Sequence, residues 1–142
     1  MGLSAMRQSD IICSSETGSG SQKVGVITLA RPKALNALSI EMVTVLHDQL
    51  AAWDHDERVS HVILKSSAPR AFCAGGDVRF ARALMSEDPI DGALDYFRSE
   101  YMADVAVAHF SKPIIALCDG IVMGGGAGIA QNCSHIIVTD TT

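Results

Sequence analysis

Apolar positions in this chain fall into short runs of about six residues that alternate with longer patterns of helical period. Residues 24–29 read as a strand closed by Arg31-Pro32, since proline removes a ladder donor. Residues 33–38 follow as a connecting loop. Ser39 then offers an N-cap and Glu41 a first-turn acid, and Val43, Leu46, Leu50 and Trp53 recur at helical spacing, which predicts an amphipathic helix over 40–53. After the charged exit at 54–57, residues 61–65 form the next strand and run into the loop AFCAGGD at 71–77, where Asp77 caps a helix over 78–85. A long helix is predicted over 90–110, with Leu94, Phe97, Tyr101, Val105 and Ala108 as its apolar stripe. Glu100 stands at the edge of that stripe, where a carboxylate is ordinarily a solvated flank residue. His109 sits at the far end of the helix, where a cation is favourable. Pro113 leads into a buried strand over 114–118, Asp119-Gly120 breaks it, and Gly124, Gly125 and Gly126 open a short helix over 127–131. A last strand covers 136–139. Residues 1–22, ending in SSETGSGSQ, are expected to be a flexible leader.

Strands alternating with helices predict an α/β fold, and 142 residues are enough for one domain. The net charge of −5 and the scatter of Lys and Arg argue against a nucleic-acid surface. No apolar run reaches the length of a membrane span, so no membrane partner is expected. Cys13, Cys73, Cys118 and Cys133 lack CxxC spacing, which argues against a zinc ribbon or a redox pair and for a reducing compartment. His47 and His55 have no ligand-spaced partners and are expected to be solvated, so no metal is expected.

The chemistry is suggested by two glycine-bearing turns about fifty residues apart. Each follows a strand and opens a helix, where the first N–H groups lack intrahelical partners and can face an anion. Neither is a phosphate loop, since no Lys-Ser/Thr follows the glycines and the GxGxxG spacing fails. If the turns converge, two backbone donors would meet one carbonyl oxygen as an oxyanion hole. Separate turns that merely allow close packing remain the alternative.

The stretches RPKALNALS (31–39), AFCAGGDVR (71–79) and DGIVMGGGAG (119–128), in this order and spacing, resemble the crotonase, or enoyl-CoA hydratase/isomerase, superfamily. AGGD at 74–77 with FRSEYM at 97–102 is most similar to its branch that hydrolyses 3-hydroxyisobutyryl-CoA in valine breakdown. The resemblance implies a crotonase-like stack of ββα units over residues 23–142. It implies that the N–H groups of Gly76 and Gly125 hold the thioester oxygen and that Lys33, Ala34 and Leu35 line the coenzyme A path. It also implies that Glu100 reaches the acyl group, while Asn36 and Asp77 are structural. No cofactor beyond the coenzyme A of the substrate is implied. Hydratases place an acid/base glutamate where this chain has Gly128, and hydrolase members have glycine there, so hydrolysis is favoured. An enoyl-CoA hydratase or isomerase and a silent acyl-CoA-binding or assembly fragment are the alternatives. The family domain continues beyond residue 142 with further catalytic carboxylates and trimer-forming helices. The chain is therefore expected to be its N-terminal half, acting as a homo-oligomer or with the C-terminal half. A cytoplasmic site in a bacterium, or a mitochondrial one in a eukaryote, follows from the same resemblance.

Overall fold

The computed structural model describes residues 10–18, 20–88 and 90–142. Its main sheet has five strands in the order β1-β2-β3-β5-β7. These are β1 (Ile11–Thr17), β2 (Lys23–Leu29), β3 (Val59–Ser66), β5 (Ile114–Cys118) and β7 (His135–Val138). The β1–β2 pair is antiparallel and every other pair is parallel. Parallel neighbours need crossovers, and helices supply them: α1 (Ile40–Asp54) joins β2 to β3, and α4 (Gly125–Gln131) precedes β7. Two short strands, β4 (Ala71–Cys73) and β6 (Ile121–Val122), pair in parallel beside the main sheet. The remaining helices are α2 (Val78–Glu87) and α3 (Asp91–His109). Among the described residues, no helix is long and apolar enough to cross a membrane.

The helix starts follow their caps. Ser39 Oγ accepts from Met42 N–H at 3.2 Å, and Asp77 Oδ1 accepts from Phe80 N–H at 3.1 Å. α1 buries Met42, Val43, Leu46, Leu50 and Trp53, which pack with Ile27, Leu29, Val62 and Leu64 of β2 and β3 into the main core. Ala103 and Val107 of α3 and Ile129 of α4 extend that core toward the glycine turns.

Two expectations are corrected. The leader is not flexible throughout: Ile11–Thr17 is a strand in register with Lys23–Leu29. Only Ile11 of that strand is buried, so edge pairing holds a segment whose side chains are mostly polar and solvated. Residues 1–9 lie outside the described residues. On α3, the apolar stripe is not the buried face. Leu94, Phe97, Tyr101 and Val105 are 45–64% exposed, and Ala108 is exposed as well. Tyr96, Glu100, Ala103 and Val107 face inward instead. That face has the same helical spacing, but two of its four residues carry polar atoms, which hides it from a reading by apolarity alone.

Candidate active site

β4 leads into Ala74-Gly75-Gly76, and β6 leads into Met123-Gly124-Gly125. Because the two strands run in parallel, with Ala71 opposite Ile121 and Cys73 opposite Val122, their C-terminal turns emerge side by side. Met123 N–H donates to Cys73 O at 3.1 Å and locks the turns together. Gly75 (φ 117°) and Gly124 (φ 52°) take the left-handed backbone that these sharp exits require. They also touch: a Cβ on Gly75 would lie 3.5 Å from Gly124 Cα and 3.6 Å from Gly125 N.

Gly76 and Gly125 are glycines for a different reason, since neither has positive φ. A Cβ on Gly76 would stand 2.6 Å from Glu100 Oε2, and one on Gly125 would stand 2.5 Å from Glu100 Oε1. Both turns therefore back onto one carboxyl group. Leu38 pairs on either side of Gly76: its N–H donates to Gly75 O at 2.8 Å, and its carbonyl accepts from Asp77 N–H at 3.0 Å. That alternation passes over the N–H of Gly76 itself. Among the described residues, neither the Gly76 nor the Gly125 N–H makes a hydrogen bond. At Gly125 the reason is its place as the first residue of α4.

Glu100 is 8% exposed, and among the described residues its Oε2 has no hydrogen-bond partner. Burial pushes its carboxyl above the usual range, and the nearby Tyr96 hydroxyl offsets this in part. Tyr96 has one proton to give, and it donates to Leu38 O at 2.9 Å while accepting from Asp77 N–H at 2.6 Å. Tyr96 is thus a brace that fixes the Leu38–Gly76 pairing from behind. Burial and the Glu100 charge push its hydroxyl to about 12.

Gly76, Glu100 and Gly125 line one cavity of about 450 Å³, together with Tyr96, Asp104 and Gly128. Lys33, Ala34 and Leu35 do not reach it. They line a second cavity of about 300 Å³ with Arg31 and Arg79, and Gly76 and Val78 belong to both walls. The second cavity is cationic, as a phosphate-bearing ligand arm requires. Its floor is rigid. Arg31 Nη1 lies 2.7 Å from Asp77 Oδ2, and Asn36, fully buried, accepts from Arg31 N–H at 2.8 Å while its amide donates to Phe72 O at 2.9 Å. Burial works against ionisation of Asp77, but the Arg31 guanidinium and the Phe80 amide outweigh it and hold the carboxyl below its usual range.

Against known proteins, the enoyl-CoA hydratase/isomerase family model matches residues 24–142. The chain belongs to the enoyl-CoA hydratase/isomerase family. Among curated relatives it is 44% identical over 119 residues to the mitochondrial 3-hydroxyisobutyryl-CoA hydrolase of Gallus gallus, covering 83% of this chain and 30% of that one. The mitochondrial 3-hydroxyisobutyryl-CoA hydrolase of Homo sapiens is 42% identical over 117 residues, covering 82% of this chain and 30% of that one. Among solved structures, a carnitinyl-CoA dehydratase from Mycobacterium thermoresistibile superposes with a TM-score of 0.87 at 38% identity, covering 95% of this chain and 38% of that one. The expected crotonase-like α/β fold is therefore the fold found. The chain spans about 30% of the length of the curated relatives named here.

Within this member of the family, Asp104 is a cavity residue that the sequence reading does not single out. It lies four residues beyond Glu100 on the inner face of α3, and burial, then the Glu100 charge, push its carboxyl from 3.8 to about 6. The available signal was the Tyr96, Glu100, Asp104 spacing of one residue per turn. Because the folded value is the higher one, the folded state holds the extra proton between the two values, and stability falls as pH rises through that window. Asp104→Asn is therefore expected to match the wild-type unfolding temperature near about pH 4 and to exceed it near about pH 7. Parallel thermal melts across that range check this, and a constant difference at all pH values would contradict it.

Buried thiols offer no rival nucleophile. Burial pushes Cys73 and Cys133 each to about 12, and all four cysteines are free. Among the described residues, no group of three His, Cys, Asp or Glu is placed to hold a metal. His55 and His109 are exposed, their Nδ1 atoms near Ala51 O (2.9 Å) and Val105 O (3.1 Å).

Proposed function

We propose that this chain forms the oxyanion-binding part of an acyl-CoA thioester hydrolase, with 3-hydroxyisobutyryl-CoA as substrate. One observation carries the reading: two unbonded N–H groups, on Gly76 and Gly125, come from touching turns on the wall of one cavity. The thioester carbonyl oxygen would accept from both. Water adds to the carbonyl carbon, the C–S bond breaks, and coenzyme A leaves as the thiol while the acyl group leaves as the acid. The two donors bond most strongly when the oxygen carries the developing negative charge, which is where such donors accelerate acyl transfer. Glu100 would accept from the hydroxyl of the acyl chain. Lys33, Ala34 and Leu35 would line the path of the coenzyme A arm, with Arg31 and Arg79 beside them. Delivery of the water is assigned to a carboxylate of the C-terminal part of the family domain. The reading needs no cofactor beyond coenzyme A itself. The relatives from Gallus gallus and Homo sapiens are named as mitochondrial, and we extend that location to a eukaryotic source of this chain.

Gly128 favours hydrolysis over hydration, because glycine cannot move a proton at that position. Assay of the full-length protein against 3-hydroxyisobutyryl-CoA and crotonyl-CoA separates the readings. Release of free thiol from the first alone supports the hydrolase. Hydration of the second alone would replace it with a hydratase, and binding without turnover of either would leave an acyl-CoA-binding protein.

A further inference from the structure

Asp104 has no task in the reaction as described, yet it sits in the same cavity as the two glycine turns. Spaced four residues apart, Glu100 and Asp104 project from one face of α3. Across the cavity, Gly128 makes room for the second carboxyl: a Cβ there would stand 2.9 Å from Asp104 Oδ2 and 3.2 Å from Oδ1. Among the described residues, two carboxyl oxygens are left buried without a partner, Glu100 Oε2 and Asp104 Oδ1, and Glu100 is more than nine-tenths buried. Among the described residues, no Lys, Arg or His lines this cavity. Unpaired buried acceptors with no neighbouring cation call for a hydrogen-bond donor from the ligand, and they repel an anion.

We propose that Asp104, paired with Glu100, is a specificity-determining residue. The pair selects acyl groups that carry a hydrogen-bond donor, a hydroxyl or an ammonium, and rejects acyl groups that end in a carboxylate. This rests on reading the cavity as the acyl pocket. The raised titration of both carboxyls fits the proposal, since each is buried and a donor placed between them relieves their mutual repulsion. A side chain at residue 128 would displace Asp104, so the glycine that removes one proton-carrying group from the site admits another from a different helix.

The test is binding of non-hydrolysable coenzyme A thioethers by the full-length protein, its Asp104→Asn variant and its Asp104→Ala variant. The probes are the 3-hydroxypropyl, 3-aminopropyl, propyl and 2-carboxyethyl thioethers. The wild type is expected to bind the hydroxyl and amino probes about tenfold or more tightly than the propyl probe, and the carboxyethyl probe most weakly. The order of the hydroxyl and amino probes identifies which donor the pair takes. Asp104→Ala should cut the preference for the hydroxyl and amino probes over the carboxyethyl probe by about tenfold, with Glu100 holding the remainder, and Asp104→Asn, which adds an amide donor, should gain affinity for the carboxyethyl probe. Unchanged preferences in both variants overturn the proposal, even where thioester hydrolysis is confirmed. Preferences that narrow in this way in a protein with no hydrolase activity uphold it and discard the hydrolase reading. Because the amide is isosteric with the carboxyl, Asp104→Asn carries the test if the alanine variant does not fold.

Discussion

Gly125→Ala is expected to lower kcat for acyl-CoA thioester hydrolysis by about 10²–10³-fold while leaving the fold intact. The backbone at Gly125 is not left-handed, so alanine can adopt it. As the first residue of α4, the position also favours alanine intrinsically over glycine. The damage is confined to the site. The new methyl group would stand 2.5 Å from Glu100 Oε1 and 2.8 Å from its carboxyl carbon, so either the carboxyl group or the turn must move. A shift of the turn re-aims the N–H that the oxyanion needs, and a donor out of place is close to a donor lost. Gly76→Ala meets Glu100 Oε2 and the Tyr96 hydroxyl, each at 2.6 Å, and should behave in the same way. Turnover measured beside thermal unfolding checks both variants. Wild-type turnover in either would show that its turn does not touch the reacting group.

Glu100→Gln carries the second large effect. The amide keeps the shape of the carboxyl and removes a charge that is 8% exposed and unpartnered at Oε2. Because burial raises the folded titration of Glu100, the ionised carboxylate costs stability above the usual carboxylate range, and the glutamine variant should be the more stable protein there. Activity should move the other way. Loss of a charged acceptor for the acyl hydroxyl is expected to reduce kcat/KM for the hydroxyacyl thioester by about ten- to a hundredfold, with little change for an acyl group lacking the hydroxyl. A gain in stability with a loss of selective turnover distinguishes a substrate contact from a packing residue, which would lose both. Equal turnover of both substrates by the variant and the wild type would remove Glu100 from the acyl pocket.

The glycine turns were legible in the sequence because their signal is local. A strand that must turn sharply into a helix needs left-handed residues at the exit, and Gly75 and Gly124 stand there. What brings the two turns together is not local. The parallel pairing of β4 with β6 joins residues fifty positions apart, and spacing alone left convergence open. α3 was misread for a related reason. Leu94, Phe97, Tyr101 and Val105 are the larger apolar set, but they face outward, and the inward face mixes Ala103 and Val107 with Tyr96 and Glu100 because it serves the cavity as well as the core. Asp104 escaped notice because its significance depends on Gly128, a residue of another helix. β1 was hidden by composition: hairpin pairing with β2 needs backbone groups rather than apolar side chains, and Ser14, Ser15 and Glu16 supply those as well as any residue. Lys33, Ala34 and Leu35 lie on the wall of a separate cavity, joined to that of the glycine turns only through Gly76 and Val78.

The central claim is that the amides of Gly76 and Gly125 share one thioester oxygen. Its most direct test is a crystal structure of the full-length protein holding a slowly cleaved acyl-CoA thioester. Both nitrogens are expected within about 2.7–3.1 Å of the carbonyl oxygen, with the acyl chain running past Glu100. A carbonyl oxygen bound elsewhere, or held by only one of the two amides, would contradict the account.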